Sequence, residues 1–145
     1  MSAWLTTRSS RPRSFRSAAS DVIAFPHRWT DEGVTVSSEF TGAHLLHLAT
    51  AGCVLNDVYR EAAVLGVEVR GVRVTAGGGF DTGSWSSTGI EYSVEVDSPA
   101  GPEGINRLLA QVDAVAEIPR AIRAGADVTR APTPDSDLSV DDRRN

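Results

Sequence analysis

The stretch "GAHLLHLATAGCVLNDVYREAAVL", residues 42–65, constrains the fold of this chain more than any other. At 100° per residue, Leu46, Ala49, Cys53 and Asp57 fall within about 40° of one helical face. Gly66 follows Leu65 in the place of a C′ glycine. At ~1.5 Å per residue such a helix is about 35 Å long, the width of a small domain. The chain has 145 residues, room for one ordinary core, so this helix must organise that core. Leu45, Leu48, Val54, Leu55 and Val58 spread apolar surface over more than one side of it, which predicts a partner surface and a dimer.

The flanking segments read as strands and shorter helices, an α+β pattern. Residues 1–20 are rich in Ser and Arg and predict an N-terminal arm or an edge strand. "DVIAFPHRW" (21–29) contains Pro26, which restricts a strand to an edge or a bulge, and "GVTVSSEF" (33–40) predicts a second short strand through Val34, Val36 and Phe40. "GVEVRGVRVTA" (66–76) alternates with a change of phase at Arg70–Gly71, predicting a bulged strand. "IEYSVEVDS" (90–98) alternates cleanly and should pair with it as an antiparallel hairpin, with Glu91, Ser93 and Glu95 facing water. Ile105, Leu108, Leu109 and Val112 form the stripe of a second helix, interrupted at Pro119. "PRAIRAG" then predicts further helical turns closed by Gly125, "ADVTR" a last short strand, and residues 131–145 a disordered acidic tail. One folded domain over residues 21–130 is expected.

Charge and composition exclude several classes of function. A net charge of −5 argues against a nucleic-acid or anionic-membrane binder, and the Arg8, Arg11, Arg13 and Arg16 cluster reads as a solvated end opposite the acidic tail. All 14 basic residues are Arg, so no lysine Schiff base or lysine general base can form. The single cysteine forbids an intrachain disulfide and any Cys-rich metal site. With no apolar leader and no run near the ~18–20 apolar residues of a membrane span, a cytoplasmic protein is expected.

Cys53 has two readings from its surroundings in sequence. As a reagent it must attack as thiolate, which calls for a cation, a helix N-terminus or a base. Mid-helix it is far from the useful end of its own dipole. A charged Asp57 at i+4 opposes ionisation, and Arg60 at i+7 lies about 10 Å along the axis, so activation must come from elsewhere in the fold. As a structural residue it belongs with Ala49, Ala51 and Gly52 to a small-residue face suited to close helix packing. His44 and Cys53 are about 180° apart around the helix, so one metal ion cannot bind both, and no metal is expected. "TAGGGFDTG" lacks the following Lys-Ser/Thr and helix of a phosphate loop and reads as a hairpin turn. Trp29, Trp85 and Tyr92 read as core aromatics.

The order of "LLHLATAGC", "LGVEVRGVRV", "IEYSVEVDSPA" and "IPRAIRAG" resembles the OsmC/Ohr family of osmotically inducible and organic hydroperoxide resistance proteins, over roughly residues 33–128. The resemblance implies a swapped α+β homodimer with the long helices at its centre, active sites at the subunit interface, and no cofactor. Its peroxidase members reduce organic hydroperoxides with a reactive cysteine, a resolving cysteine and an Arg–Glu pair. Cys53 matches the reactive cysteine. The position of the resolving cysteine holds Ala116, and that of the acid falls among Gly42, Ala43 and His44. Arg16 and Arg28, and with them Arg13, are candidates for the activating arginine. His44, Leu46 and Ala49 are candidates for a pocket taking a small apolar or peroxide ligand. The expected function is a one-cysteine peroxidase that draws on an external thiol. The alternatives are a binder or transformer of a specialised metabolite without thiol chemistry, and a purely structural dimer partner.

Overall fold

A computed structural model gives the fold for residues 2–7 and 22–132; residues 8–21, with Arg13 and Arg16, and the 133–145 part of the expected tail lie outside the described residues. The elements run β1 (Ser2–Thr7), β2 (Ile23–Phe25), β3 (Val34–Ser37), α1 (Gly42–Leu65), β4 (Gly71–Phe80), β5 (Ser87–Asp97), α2 (Pro102–Val115) and α3 (Glu117–Ala124). The strands form one antiparallel sheet in the order β2-β3-β1-β4-β5. The class is α+β, as the patterning predicted.

Helix α1 has the limits read from the sequence, and both ends show why. Thr41 is extended and its hydroxyl accepts from the His44 N–H, while Gly66 adopts the left-handed conformation at φ 67°. Its inner face places Ala51, Val54, Leu55 and Val58 in a core shared with Val72, Val74 and Ala76 of β4 and Leu108 and Val112 of α2. β4 and β5 form the expected antiparallel hairpin, with Val72 opposite Val96 and Val74 opposite Val94. β2 is the edge strand that Pro26 called for.

Several sequence expectations are corrected. Ser2–Thr7 is neither an arm nor an edge strand: it lies inside the sheet, hydrogen-bonded to β3 on one side and β4 on the other. Residues 67–70 are not strand; β4 starts at Gly71, and the register shift falls at Gly78/Phe80, where the Gly78 Cα lies so near the Gly89 carbonyl that a Cβ would stand 2.2 Å from its oxygen. Phe40 does not continue β3 and is 91% exposed. The second helix stops at Ala116, before Pro119, because α3 restarts at Glu117 with Pro119 in its first turn, where a missing N–H breaks no intrahelical bond. Residues 126–130 form no strand, and Val128 is exposed. Trp29 and Trp85 are exposed, so of the three aromatics assigned to the core only Tyr92 packs against it. Among the described residues no helix is long and apolar enough to cross a membrane.

Candidate functional site

Cys53 sits halfway along α1, half-buried, where α3 begins. Ile118 is the second residue of α3, so its N–H has no partner within the helix, and it donates to Cys53 Sγ at 3.4 Å. The fold thus brings a second helix's N-terminus to a thiol too far from its own. On the other side of the sulfur stands the buried Asp57, whose Oδ2 is 3.9 Å from Sγ.

Asp57 is the first member of a chain of contacts that runs from α1 to α2. Its Oδ1 lies 2.9 Å from Arg60 Nη1. Arg60 Nε is 2.9 Å from Glu61 Oε1, and Gln111 of α2 donates to Glu61 Oε2 at 3.3 Å. Burial pushes the Asp57 carboxyl above the usual carboxylate range; Arg60 pulls it back, Glu117 and Glu61 push it further up, and the bond from Cys53 lowers it. Arg60 is held charged chiefly by its bond to Glu61.

Two concavities border α1, and Cys53 lines neither. An open apolar groove of about 500 Å³ runs between the β2–β3 connection and the outer face of α1, lined by Phe25, Arg28, Trp29, Leu45, Ala49 and Gly52 among others. A smaller cavity of about 300 Å³ lies between α1, β5 and α3, with Thr50, Ile90, Tyr92, Pro119, Ile122 and Arg123 on its walls. In that second cavity Tyr92 donates to Asp113 at 2.5 Å and Arg123 to the same oxygen at 2.9 Å. Burial and then the Asp113 carboxylate push Tyr92 up to about 12, while the Tyr92 and Arg123 bonds lower Asp113.

The residues singled out by sequence are distributed unevenly. Cys53 and the segment after Ala116 meet, and Ala116 itself is wholly buried at the α2–α3 junction. Ala49 and Arg28 line one groove, with the Arg28 guanidinium 5.7 Å from the Trp29 ring centroid. His44 is buried, its Nδ1 2.7 Å from the Thr41 hydroxyl, and Leu46 is half-buried; neither lines either concavity. The Asp57–Arg60 pair was missed because Arg60 was placed by its Cα; the i, i+3 acid–base spacing was the available signal. His47 was also missed as a site of strain: it is fully buried, and its two ring nitrogens are the only buried side-chain atoms without a partner among the described residues. Among those residues no group of His, Cys, Asp and Glu is arranged to hold a metal ion.

An antiparallel sheet backed by a long helix and two shorter ones places the chain in the α+β class, with the thiol of the long helix set against the N-terminus of α3. A family model described as OsmC-like protein matches residues 35–130, and the chain belongs to that family. Among solved structures it is similar to an OsmC-like protein from Mycoplasma pneumoniae, at 15% identity and a TM-score of 0.54, over 74% of this chain and 89% of that one. It is also similar to an OsmC-like hydroperoxide resistance protein from Jannaschia sp. CCS1, at 14% identity and a TM-score of 0.49, over 93% and 96% of the two chains. No curated protein matches it in sequence.

Proposed function

We propose that the chain is a one-cysteine, thiol-dependent organic hydroperoxide reductase that works as a homodimer, with Cys53 as its nucleophile. The observation that carries this reading is the Ile118 N–H directed at Cys53 Sγ at the first turn of α3. A backbone donor and the positive end of a helix both favour the thiolate. The sulfur attacks the terminal oxygen of the hydroperoxide, the O–O bond breaks, and an alcohol leaves while Cys53 becomes a sulfenic acid. Ala116 has no thiol to condense with it. An external thiol therefore displaces water to give a mixed disulfide, and a second thiol molecule releases Cys53.

The dimer is supported by the outer groove, where the half-exposed Phe25, Trp29 and Leu45 make an apolar surface continuous with the small-residue face at Ala49 and Gly52. Its wall carries Arg28, which with Arg16 stays a candidate activating arginine from sequence, whereas Arg60 is the cation paired with the Asp57 beside the sulfur. A second reading, a small-molecule binder of the same fold without thiol chemistry, draws on the Asp57 carboxylate beside the sulfur, because a fixed negative charge opposes thiolate formation.

The test is to follow organic hydroperoxide loss in the presence of a small thiol, for the native chain and for Cys53→Ser, with intact-mass analysis. The reductase consumes peroxide catalytically, gains one oxygen on Cys53 when reductant is withheld, and loses both behaviours in Cys53→Ser. Equal, slow consumption by the two proteins assigns the cysteine to packing and favours the binder.

A further inference from the structure

Among the described residues, the side chains around Asp57, which stands beside the sulfur, carry more negative than positive charge: Asp57 itself with Glu61 on α1 and Glu117 at the start of α3, against the cation Arg60, and Asp57 and Glu61 are buried. Ionising Cys53 with loss of its proton to solvent would add a further negative charge to that cluster, at rising cost in a partly dehydrated place. Moving the proton from sulfur to the neighbouring carboxyl adds none. The geometry provides for that transfer: Asp57 divides its two oxygens, Oδ1 to Arg60 and Oδ2 to Sγ. The 3.9 Å separation of Sγ and Oδ2 is long, as catalytic contacts often are without substrate.

We propose that Cys53 and Asp57 share one proton, and that Asp57 accepts it from the thiol and returns it to the departing alkoxide, with Arg60 as the residue that positions Asp57. This rests on the hydroperoxide-reductase reading. In the first half-step the S–H bond breaks and the proton passes to Asp57 Oδ2. In the second, the thiolate electron pair forms the S–O bond with the terminal peroxide oxygen, the O–O pair leaves on the alkoxide oxygen, and Asp57 protonates it to the alcohol. Sulfur is oxidised, the peroxide is reduced, and Asp57 ends as the carboxylate it began as. Arg60 cannot follow the proton and does not touch the sulfur; it fixes the carboxylate, and Glu61, itself held by Gln111, fixes Arg60. The groups facing Asp57 from the elements packed on it are thus Cys53, Arg60 and Glu61 of α1 and Glu117 of α3.

The test is the pH profile of kcat/KM for a small organic hydroperoxide, measured from pH 5 to 9 for the full chain, Asp57→Asn, Asp57→Glu, Arg60→Gln and Cys53→Ser. In the native protein the rate should be level across the neutral range and fall in acid, as Asp57 takes a proton of its own. Asp57→Asn has no acceptor, so its thiol must ionise to solvent and its rate should climb about tenfold per pH unit through neutrality. Asp57→Glu should restore the level region. Arg60→Gln should keep it at lower kcat/KM, with the acid fall moved to higher pH because the lowering influence of Arg60 on Asp57 is gone. A native profile that itself climbs tenfold per unit overturns the proposal without any variant. So does an Asp57→Asn profile of native shape, or one faster than native at every pH, while Cys53→Ser is inactive; those results leave the reductase reading standing. Native activity no greater than that of Cys53→Ser removes the reading, and the proposal with it.

Discussion

Replacing His47 by Leu tests the balance between burial and hydrogen bonding in the core of α1. The imidazole is 0% exposed, both nitrogens lack partners among the described residues, and Nε2 lies 3.2 Å from where a Gly78 Cβ would stand, so the ring is pressed against β4. A buried polar group without a partner costs about 1–3 kcal/mol relative to its hydrated state, and Leu fills a similar volume without that cost. His47→Leu should therefore be more stable than the native protein by about that amount near pH 7.5. The difference should also grow with acid. Burial is the largest cause lowering the His47 pKa in the folded chain, and nearby positive charge, that of His44 included, lowers it further. As pH falls below about 6.5 the unfolded chain takes up a proton that the folded one refuses, and native stability drops by up to ~1.4 kcal/mol per pH unit until the folded pKa is reached. His27, lowered chiefly by burial, titrates alike in both proteins and cancels in the comparison. Urea unfolding of the two at one protein concentration, at pH 7.5, 6.5 and 5.5, measures the difference. A variant less stable than native at pH 7.5, or a stability difference independent of pH, would refute the argument.

Four further outcomes follow from named contacts. Leu108→Ala, at a fully buried position of α2, should lower stability by about 2–5 kcal/mol in chemical denaturation, and a loss under ~1 kcal/mol would mean α2 is not seated on the core. Gly78→Ala must move the Gly89 backbone, so its thermal midpoint should fall well below that of Gly101→Ala, where a Cβ meets nothing. Tyr92 should remain protonated at pH 11, giving a late phenolate step in an ultraviolet titration that Tyr92→Phe removes. Ala116→Cys should give an intramolecular disulfide with Cys53 on peroxide treatment, seen as a mass loss of two hydrogens, because this position precedes the residue whose N–H touches the sulfur by only two places.

The parts of the fold that were legible are those whose signal is local. Helix α1 announced itself by period and by Gly66, and β5 by its alternation. The parts that were not legible depend on contacts distant in sequence. Ser2–Thr7 has nothing in its six residues to say that two other strands flank it. The α2–α3 break at Ala116 was hidden by the more conspicuous Pro119, which the first turn of a helix accommodates. At the site, the cysteine was found by pattern and resemblance together, whereas the Ile118 N–H could not be, since the donor comes from 65 residues further along the chain. Arg60 was rightly read as remote from the sulfur, but its pairing with Asp57 was not read: helical geometry locates a Cα, and a guanidinium reaches back several ångströms from it.

The place of β1 in the sheet also bears on how the chain assembles as it leaves the ribosome. Ser2–Thr7 precedes both of its partners, which are Val34–Ser37 and the start of β4, the latter some 70 residues downstream and beyond the whole of α1. Until β4 arrives, one side of β1 is an unpaired row of backbone donors and acceptors. If β1 is cleaved or held away, β2–β3 and β4–β5 remain as two separate hairpins, each with a newly opened edge of the kind that joins to other chains. The β1 segment therefore governs aggregation during synthesis as much as stability afterwards.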